Sequence, residues 1–426
     1  MKELLKSIIL EQQEDADLLV SDTIPRKIED EWIKTPDVLI ISGIRRCGKS
    51  VLMQQIRNKM AERDFYFNFD DDRLLQFTVN DFVKLQECFF ELFGEQHTYY
   101  FDEIQNIEGW ETFVRRLHNG GNKVYVTGSN ARMLSRELGT HLTGRYLMIE
   151  LFPFSFSEYL AITNHAFTSR DLITTLGRSR LLAHFKDYLT IGGFPSYIQH
   201  RSVRYLSSLY QSIIYRDIIT RNKLSNEKDI QELVYYLASN PAKRFTYSSI
   251  GKLIGVKHPE TIKNYLSYIE QTFLIFQVMK YDPSLKIQMF NAKKVYFIDN
   301  AIVRRIGFSA TDDTGHFLEN LVYIELRRLQ CEVYYHFGEK ECDFVVREGI
   351  RITRAYQVSV SLHNQETRNR EMAGLIDAMA TYSLSEGYIL TMEEKEEVIT
   401  ETGRNIHILP VWEWILSHQN GNLSAT

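Results

Sequence analysis

The sequence has few cysteines and prolines and no long apolar run, and each shortage excludes a class of protein. Its 426 residues include four cysteines, with no CxxC pair and no histidines at zinc-finger spacing, which excludes a disulfide-stapled or zinc-finger protein. Only eight prolines argue against long disordered linkers. No apolar stretch approaches the roughly 20 residues that cross a bilayer, and the start shows no signal-peptide pattern. We therefore expect a cytoplasmic protein without membrane contact.

The chain also has no excess of positive charge. Fifty lysines and arginines against 55 aspartates and glutamates give a net charge of −5, so the whole molecule is not a polycation. Any contact with nucleic acid must therefore depend on a local patch. The length predicts about three domains.

The most informative feature that is present is a glycine loop between a strand pattern and a helix pattern. Gly43–Ser50 satisfies G-x-x-x-x-G-K-[ST] at every specified position, directly after the apolar run Val38–Ser42. Such a unit directs backbone N–H groups and a helix N-terminus at a polyphosphate. Lys49 would reach the β/γ-phosphates of ATP, and Ser50 would hold Mg²⁺. The residues predicted to bind the nucleotide are Gly43, Ile44, Arg45, Arg46, Cys47, Gly48, Lys49, Ser50 and Val51.

Five short apolar runs alternate with helical patterns and predict a parallel α/β sheet. The runs cover 38–41, 65–69, 98–101, 123–127 and 147–151. The third run is followed by Asp102 and Glu103, two carboxylates at the carboxyl end of a strand. Asp102 is suited to bind Mg²⁺ together with Ser50, and Glu103 to polarise the attacking water as general base. Without the phosphate loop upstream, the same pair would be an ordinary solvated acidic loop.

Two further candidates follow the fourth run and precede the fifth. Asn130 or Ser129, and less favourably Thr127, would orient water against the γ-phosphate; an ordinary turn is the alternative. Arg145 is a candidate arginine finger that acts in cis or on a neighbouring copy. The alternative for Arg145 is a plain surface arginine.

Together, these motifs resemble those of a family of prokaryotic AAA-type ATPases. The matching segments are Gly43–Ser50, Tyr100–Gln105, Thr127–Ala131, Leu142–Tyr146 and Glu150–Phe156. The resemblance covers nearly the whole chain. It implies an AAA core in which the Walker B strand carries the glutamate. A C-terminal domain of unknown function follows that core. The resemblance implies no substrate beyond the nucleotide.

The middle of the chain predicts a helical lid and a DNA-binding type of module. Residues 155–224 alternate amphipathic helices with a break at Gly192–Pro195, and by position they are expected to form the lid that follows an AAA core. Residues 225–295 give three helix patterns and a strand, which resembles a winged helix. Between 240 and 294, nine basic residues oppose three acids, the footprint of DNA binding. Lys257, Lys263 and Asn264 would face DNA; packing between domains is the alternative.

The last part, residues 296–426, has acids in the order found in restriction-endonuclease-like folds. Glu319 lies on a helix pattern, Asp343 begins a strand pattern with Glu341 nearby, and Gln357–Ser359 occupies the next strand. Such nucleases use Asp and then Glu-x-Lys to bind Mg²⁺ and activate water. Here glutamine coordinates weakly, and serine cannot replace the charge of lysine. We expect a degenerate nuclease site at Glu319, Asp343 and Gln357, retained for packing or for holding DNA, with active cleavage as the alternative.

The predicted architecture is α/β: a phosphate-loop parallel sheet with a helical lid, then a winged helix and a small restriction-endonuclease-like domain. The predicted divisions are an N-terminal helical segment (1–34), an ATPase core (35–154), a lid (155–224), a winged helix (225–295) and a nuclease-like domain, expected to be inactive (296–426). The predicted function is Mg²⁺-dependent ATP hydrolysis coupled to rearrangement of the C-terminal modules. Alternatives are a nucleotide-gated switch that binds protein partners with little turnover, or an active DNA nuclease. Self-association through Arg145 is a further predicted contact.

Overall fold

The computed structural model describes residues 1–20, 23–130, 144–308, 313–401 and 403–419. Leu142 and Thr143, which open the motif before the fifth strand, lie outside these ranges. The chain divides into a first unit, Met1–Phe152 with Gln271–Phe273, and a second unit, Pro153–Glu270 with Leu274–Thr426. No helix in the described ranges is long and apolar enough to cross a bilayer.

A five-stranded parallel sheet forms the centre of the first unit. Its strands are β1 (Val38–Ser42), β2 (Phe65–Asn68), β3 (Thr98–Asp102), β4 (Lys123–Gly128) and β5 (Tyr146–Glu150). The order across the sheet is β2-β3-β4-β1-β5, and every neighbouring pair is parallel. All five strands therefore end at one edge, where parallel α/β sheets bind ligands. The predicted α/β phosphate-loop sheet is confirmed.

The helices of the first unit cover the sheet and include the N-terminal segment. They are α1 (Lys2–Val20), α2 (Asp30–Lys34), α3 (Lys49–Arg57), α4 (Phe82–Phe93) and α5 (Trp110–Asn119), with short 3₁₀ turns at Asp72–Leu74, Val79–Asp81 and Ile104–Asn106. Leu5, Ile8 and Ile9 of α1 are fully buried, in the same core as Phe65 and Phe89. Burial of these side chains is worth about 1.5–3 kcal/mol each, so α1 is part of this unit rather than a separate N-terminal segment.

The second unit begins with the helices that the sequence assigned to a lid. These are α6 (Phe156–Ile162), α7 (Ser169–Ile173), α8 (Thr175–Ile191), α9 (Pro195–His200) and α10 (Val203–Ser212), which continues as a π-helical segment over Ile213–Thr220. The Asn300 side chain donates a hydrogen bond to the Leu189 carbonyl (3.1 Å), and Lys186 pairs with Glu393 (2.7 Å). These helices therefore pack with the C-terminal part of the chain.

The Gly192-Gly193 break lies where two segments approach too closely for a side chain. A Cβ at Gly193 would lie 2.2 Å from the Phe154 carbonyl oxygen, and one at Gly192 would lie 2.1 Å from the Asp299 carboxylate. Gly192 also has a φ of +70°, which L-residues rarely adopt. The Gly193 N–H donates to Asp299 (2.6 Å), so the glycines let a buried carboxylate cap this turn.

A three-stranded antiparallel sheet follows, within a module that we call the helix–sheet module (227–297). Its elements in chain order are α11 (Glu227–Ala238), β6 (Arg244–Phe245), α12 (Tyr247–Ile254), α13 (Pro259–Gln271), β7 (Ile275–Met279), α14 (Leu285–Phe290) and β8 (Lys293–Phe297). The sheet order is β6-β8-β7. The predicted division between residues 295 and 296 falls inside β8, so the structure does not separate two domains there.

The C-terminal module has a six-stranded mixed sheet. Its elements are α15 (Asn300–Ile306), α16 (Thr314–Arg328), β9 (Glu332–Phe337), β10 (Glu341–Glu348), β11 (Arg351–Val358), α17 (Gln365–Tyr382), β12 (Glu386–Thr391), β13 (Glu396–Ile399), β14 (Asn405–Pro410) and α18 (Val411–Gln419). β9, β10 and β11 form an antiparallel meander, and α17 then crosses over to β12, which is parallel to β11. β14 and β13 complete the sheet.

Candidate nucleotide site and a second charged cluster

The loop between β1 and α3 is closed by two glycines in conformations that other residues avoid. Gly43 has a φ of +154° and Gly48 a φ of +103°. A Cβ at Gly43 would lie 2.2 Å from the Leu151 carbonyl oxygen, so only glycine fits. Ile44 and Cys47 are fully buried, and burial raises the pKa of the Cys47 thiol. These two side chains therefore anchor the loop, and its backbone is left to face a ligand.

Lys49 begins α3 and is held between the loop and the end of β3. Its Nζ donates to the Ile44 carbonyl (3.3 Å) and lies 3.5 Å from Glu103 Oε1. Burial opposes the charged form, but Glu103, Cys47 and Asp102 together raise the pKa of Lys49. The ammonium therefore stays charged, and both of its contacts are long enough to be exchanged for a phosphate oxygen.

Asp102 ends β3 and is enclosed by hydroxyl groups. It is 1% exposed and accepts hydrogen bonds from Thr127 and from Ser50. Burial, followed by the neighbouring Glu103, raises the pKa of Asp102. The structure thus brings Ser50 of α3 and Asp102 of β3 together, as the sequence predicted. Hydroxyl and carboxylate oxygens are ligands that Mg²⁺ prefers, so this pair fits the metal that accompanies a nucleotide.

Thr127 is more central to the site than its place among the weaker sequence candidates suggested. It lies in β4, opposite Ile41 of β1, because β4 is inserted between β1 and β3. Its hydroxyl donates to Asp102 and accepts from the Glu103 N–H (2.9 Å). One threonine therefore fixes the orientation of the Asp102 carboxylate and the backbone of Glu103.

Glu103 adopts a left-handed backbone conformation and makes two side-chain contacts. Its φ is +50°, which costs on the order of 1–3 kcal/mol for a non-glycine residue at a functional site. Its Oε2 accepts from Gln105 Nε2 (2.5 Å), and Oε1 faces Lys49. Gln105 is 4% exposed, and its Oε1 has no hydrogen-bond partner within the described ranges. The carboxylate is thus held by two partners.

Ser129 and Asn130 follow β4 at the same edge of the sheet. They are 2% and 3% exposed, so both side chains are inside the unit. Where the chain is described, the Ser129 hydroxyl has no hydrogen-bond partner. Residues 131–143 lie outside the described ranges, and a role of Asn130 in orienting water stays a prediction.

Arg26 is a site residue that sequence reasoning missed. Its Nη2 donates to the Cys47 carbonyl (2.8 Å) and to the Phe152 carbonyl (3.2 Å). Its backbone N–H donates to Gln55 Oε1 (2.9 Å), which ties this segment to α3. A Cβ at Gly48 would lie 3.6 Å from Arg26 Nη2. The segment before β1 therefore supports the glycine loop from behind.

Arg145 lies at the opposite edge of the sheet from the glycine loop. It precedes β5, whose first residue Tyr146 pairs with Val38, the first residue of β1. Five residues of β1 separate that level from the loop, about 16 Å at strand rise. The exposed Arg145 Nη1 donates to Asn119 (2.6 Å). An arginine finger in cis does not fit this placement, whereas action on a neighbouring copy stays a prediction.

The helix–sheet module corrects the predicted basic footprint. Lys257, Lys263 and Asn264 are exposed, as a DNA-facing surface requires. Lys293 and Lys294, also counted in the footprint, are 8% and 3% exposed and cannot face DNA. Consecutive residues of β8 point to opposite faces, and both faces are covered.

Lys294 instead lies inside a cluster of acids that we call the Lys294 cluster: Lys294, Tyr296, Glu319, Glu341 and Asp343. Its Nζ lies 3.0 Å from Glu319, 2.9 Å from Glu341 and 3.1 Å from Asp343. Tyr296 donates to Glu319 (2.6 Å). Burial, followed by Asp343, raises the pKa of Glu319 to about 7. The pKa of Lys294 is raised despite burial, because Glu319, Tyr296, Asp343 and Glu341 surround it.

The three predicted nuclease-site residues do come together at this cluster. The Asp343 N–H donates to Gln357 Oε1 (3.2 Å), and Gln357 Nε2 donates to Glu371 (2.5 Å). Glu319 and Asp343 share Lys294. The Gln-Val-Ser motif lacks a lysine, but Lys294 of β8 lies beside the same acids.

Comparisons with known proteins agree with the sheet and the loop. A family model described as an AAA domain matches residues 35–160, and one described as a domain of unknown function (DUF8612) matches residues 182–312. The chain is 30% identical over 447 residues to the uncharacterized protein MJ1544 of Methanocaldococcus jannaschii, covering 98% of this chain and 96% of that protein. It is 31% identical over 357 residues to an uncharacterized protein of Haemophilus influenzae, covering 78% and 86%.

Two solved structures share a weaker likeness. AMPPCP-bound DnaA from Aquifex aeolicus aligns over 61% of this chain and 85% of its own, with 13% identity and a TM-score of 0.23. Cdc6p from Pyrobaculum aerophilum aligns over 68% and 97%, with 11% identity and a TM-score of 0.28. Likeness at this level carries no argument about substrate or partner.

Proposed function

Because the chain belongs to a family of AAA-type P-loop ATPases with a C-terminal domain of unknown function, we propose that it hydrolyses ATP and couples the nucleotide state to its C-terminal modules. The observation that carries the proposal is the convergence of Lys49, Ser50, Asp102 and Glu103 at one edge of the sheet. Charge, metal ligands and a base are the parts that phosphoryl transfer to water needs. No covalent chemistry by the protein is required.

Each residue has a role that follows from its contacts. Lys49 binds the β/γ-phosphate oxygens after releasing its long contacts to Ile44 and Glu103. Ser50 and Asp102 would hold Mg²⁺, which supplies charge neutralisation to the phosphates when bound. Glu103 accepts a proton from the attacking water. The Thr127 hydroxyl orients the Asp102 carboxylate and the backbone of Glu103. Arg145 would act only on the nucleotide of a neighbouring copy.

Coupling to DNA is supported by the exposed face of α13 and the preceding turn. The three-stranded antiparallel sheet and the helices before it support the predicted winged helix, and Lys257, Lys263 and Asn264 are exposed on this module. We expect the double variant Lys257→Ala/Lys263→Ala to weaken duplex binding and to lower the salt dependence of binding by about two ions. Lys27→Ala, which removes a lysine that is 81% exposed outside this module, is the matched control.

The test is steady-state phosphate release from ATP with Mg²⁺, across protein concentrations, with and without duplex DNA. Lys49→Ala should abolish release, whereas Lys59→Ala, an exposed lysine just beyond α3, should not. Stimulation by DNA that Lys49→Ala lacks would support coupling to DNA. If DNA does not change the rate of phosphate release, the nucleotide state is coupled to a protein partner rather than to DNA. Turnover that rises faster than protein concentration would support Arg145 acting between copies.

A second candidate function is a nucleotide-gated switch that turns over slowly. The observation that favours it is that the Glu103 carboxylate contacts both Lys49 (3.5 Å) and Gln105 (2.5 Å). A carboxylate with both oxygens in such contacts is not positioned to accept a proton from the attacking water. Tight ATP binding with negligible phosphate release in the wild type, and faster release in Gln105→Ala, would favour the switch. Fast wild-type release that Gln105→Ala leaves unchanged would exclude it.

A further inference from the structure

The Lys294 cluster is a charged group in the second unit that the proposed ATPase does not use. One ammonium contacts three carboxylates at 2.9–3.1 Å, distances of charge-assisted hydrogen bonds. Lys294 donates hydrogen bonds to Glu319 and Asp343, and Glu341 forms a third ion pair with it at 2.9 Å. The three short contacts of this ammonium are therefore all with carboxylates of the protein.

The face of β8 on which Lys294 lies explains why this lysine and not its neighbour enters the cluster. Side chains two residues apart on a strand share a face, and Tyr296 accordingly bonds Glu319 beside Lys294. Lys293 points the other way and donates to the carbonyls of Met289 (2.9 Å) and Asn291 (3.2 Å). Two adjacent buried lysines thus have different partners: carboxylates for one and backbone carbonyls for the other.

The second oxygens of Asp343 and Glu341 also contact protein groups. Asp343 Oδ2 accepts from the Val358 N–H (3.1 Å), and Glu341 Oε2 lies 3.5 Å from Arg244. Both ends of the Gln357 amide are occupied, by Asp343 and by Glu371. Asp343 and Gln357 are 8% and 5% exposed. The carboxylates that would bind a divalent ion in a nuclease therefore face a lysine and backbone groups here.

We propose that Lys294 is a built-in cation of the C-terminal module, which takes the place of a divalent metal ion among Glu319, Glu341 and Asp343 and joins β8 to the six-stranded sheet. The cluster is then a structural joint between the helix–sheet module and the C-terminal module. Pairing next to it supports the same joint, since the Tyr281 N–H just beyond β7 donates to the Tyr335 carbonyl of β9 (2.9 Å). Under this proposal the module does not cleave DNA, because its acids are committed to Lys294.

The experiment compares Lys294→Ala with Lys293→Ala in the full-length protein without nucleotide, first in EDTA and then after EDTA has been replaced by Mn²⁺. Removal of Lys294 leaves three carboxylates, two of them largely buried, without their shared cation, whereas removal of Lys293 frees only carbonyls. We expect the loss of melting temperature for Lys294→Ala to be at least twice the loss for Lys293→Ala. Mn²⁺, which can enter the space left by the side chain, should restore part of that loss for Lys294→Ala only.

Each of the following results would overturn the proposal. The first is equal melting temperatures for the two alanine variants, and the second is no recovery of Lys294→Ala with Mn²⁺. The third applies even if Lys294→Ala does not fold: a wild-type melting temperature that rises with Mn²⁺ in the absence of nucleotide and no longer rises in Asp343→Asn. That result, or DNA cleavage by the wild type that Asp343→Asn abolishes, would make this a metal-dependent nuclease site with Lys294 as a mobile partner.

Discussion

Lys49 and Lys294 are both buried lysines facing carboxylates, yet their surroundings differ in one respect that decides what each can do. Lys49 has a carbonyl at 3.3 Å and a carboxylate at 3.5 Å, next to a glycine loop built for phosphate. Lys294 has three carboxylates at 2.9–3.1 Å. The contacts of Lys49 are long enough to be exchanged for a ligand oxygen, whereas those of Lys294 are short and all go to carboxylates of the protein. The length and number of these contacts, more than burial, distinguish the two lysines.

The largest expected effect concerns the catalytic side of this comparison. Glu103→Gln removes the proposed base and keeps the shape of the side chain, so ATP turnover should fall by about 10²–10⁴-fold with ATP binding retained. Single-turnover and equilibrium binding measurements separate the two quantities. Glu108→Gln, an exposed acid in the same connection, is the control and should behave as the wild type. Turnover of Glu103→Gln within threefold of the wild type would remove Glu103 from the mechanism.

The next effect concerns stability at the Lys294 cluster, where two acids have unequal burial. The Asp343 side chain is 11% exposed and that of Glu341 is 32% exposed. Asp343 also uses its second oxygen for the Val358 N–H. We expect Asp343→Asn to lower the unfolding free energy by about 2–4 kcal/mol and Glu341→Gln by about 1 kcal/mol or less. Urea unfolding measures both, and a larger loss for Glu341→Gln would contradict the burial argument.

The sequence predicted which residues meet where their positions are local, and it missed contacts that are assembled over distance. The glycine loop is contiguous, and Asp102 and Glu103 directly follow a recognisable strand, so the meeting of these residues at one end of the sheet could be predicted. Arg26 and the contacts of Thr127 could not be predicted, because Arg26 contacts the loop from 21 residues away and the contacts of Thr127 depend on β4 lying between β1 and β3.

The buried position of Lys294 could not be predicted from the sequence either. Its partners Glu319 and Asp343 are 25 and 49 residues away, and a charge count along the chain assigns every lysine to the surface. The acids of the nuclease-like pattern were predicted together, but the cation between them was only counted in the basic footprint between residues 240 and 294. A pattern within one segment does not show which face of a strand becomes buried against another element.

The buried carboxylate of Asp299 extends the comparison, because backbone N–H donors rather than a lysine hold it. Gly192→Ala would force a Cβ to within 2.1 Å of that carboxylate. Gly94 offers a matched control: its backbone is nearly the same (φ 75°, ψ −164° against φ 70°, ψ −164°), and a Cβ there meets nothing within 4 Å. Both variants incur the backbone strain of about 1–3 kcal/mol, so the difference between their unfolding free energies isolates the overlap.

We expect Gly192→Ala to be the more destabilising of the pair by about 1–2 kcal/mol, since the carboxylate must shift and stretch its hydrogen bond from Gly193. Denaturant unfolding of the two variants beside the wild type gives this difference directly. Equal losses for Gly192→Ala and Gly94→Ala would mean that Asp299 moves without cost, and that it does not cap the turn.

The smallest expected effect is a change in the pH dependence of stability through Asp299. Burial raises the pKa of Asp299 from 3.8 to about 7 in the folded protein, against its hydrogen bonds from Gly193 and Ala301 and the nearby Arg328. Between these values the folded protein binds a proton that the unfolded chain has released, so this group makes the unfolding free energy fall as pH rises through the window. Asp299→Asn removes that contribution and should reduce the slope by up to about 1.4 kcal/mol per pH unit.

Unfolding curves from pH 4 to 7 compare Asp299→Asn with Glu227→Gln, a change at an exposed acid. An unchanged slope in Asp299→Asn would mean that the N–H donors keep Asp299 ionised. Backbone N–H groups would then stabilise the ionised form of a buried carboxylate as well as Lys294 stabilises Glu319, Glu341 and Asp343. The number of donors, rather than their charge, would then decide whether a buried carboxylate stays ionised.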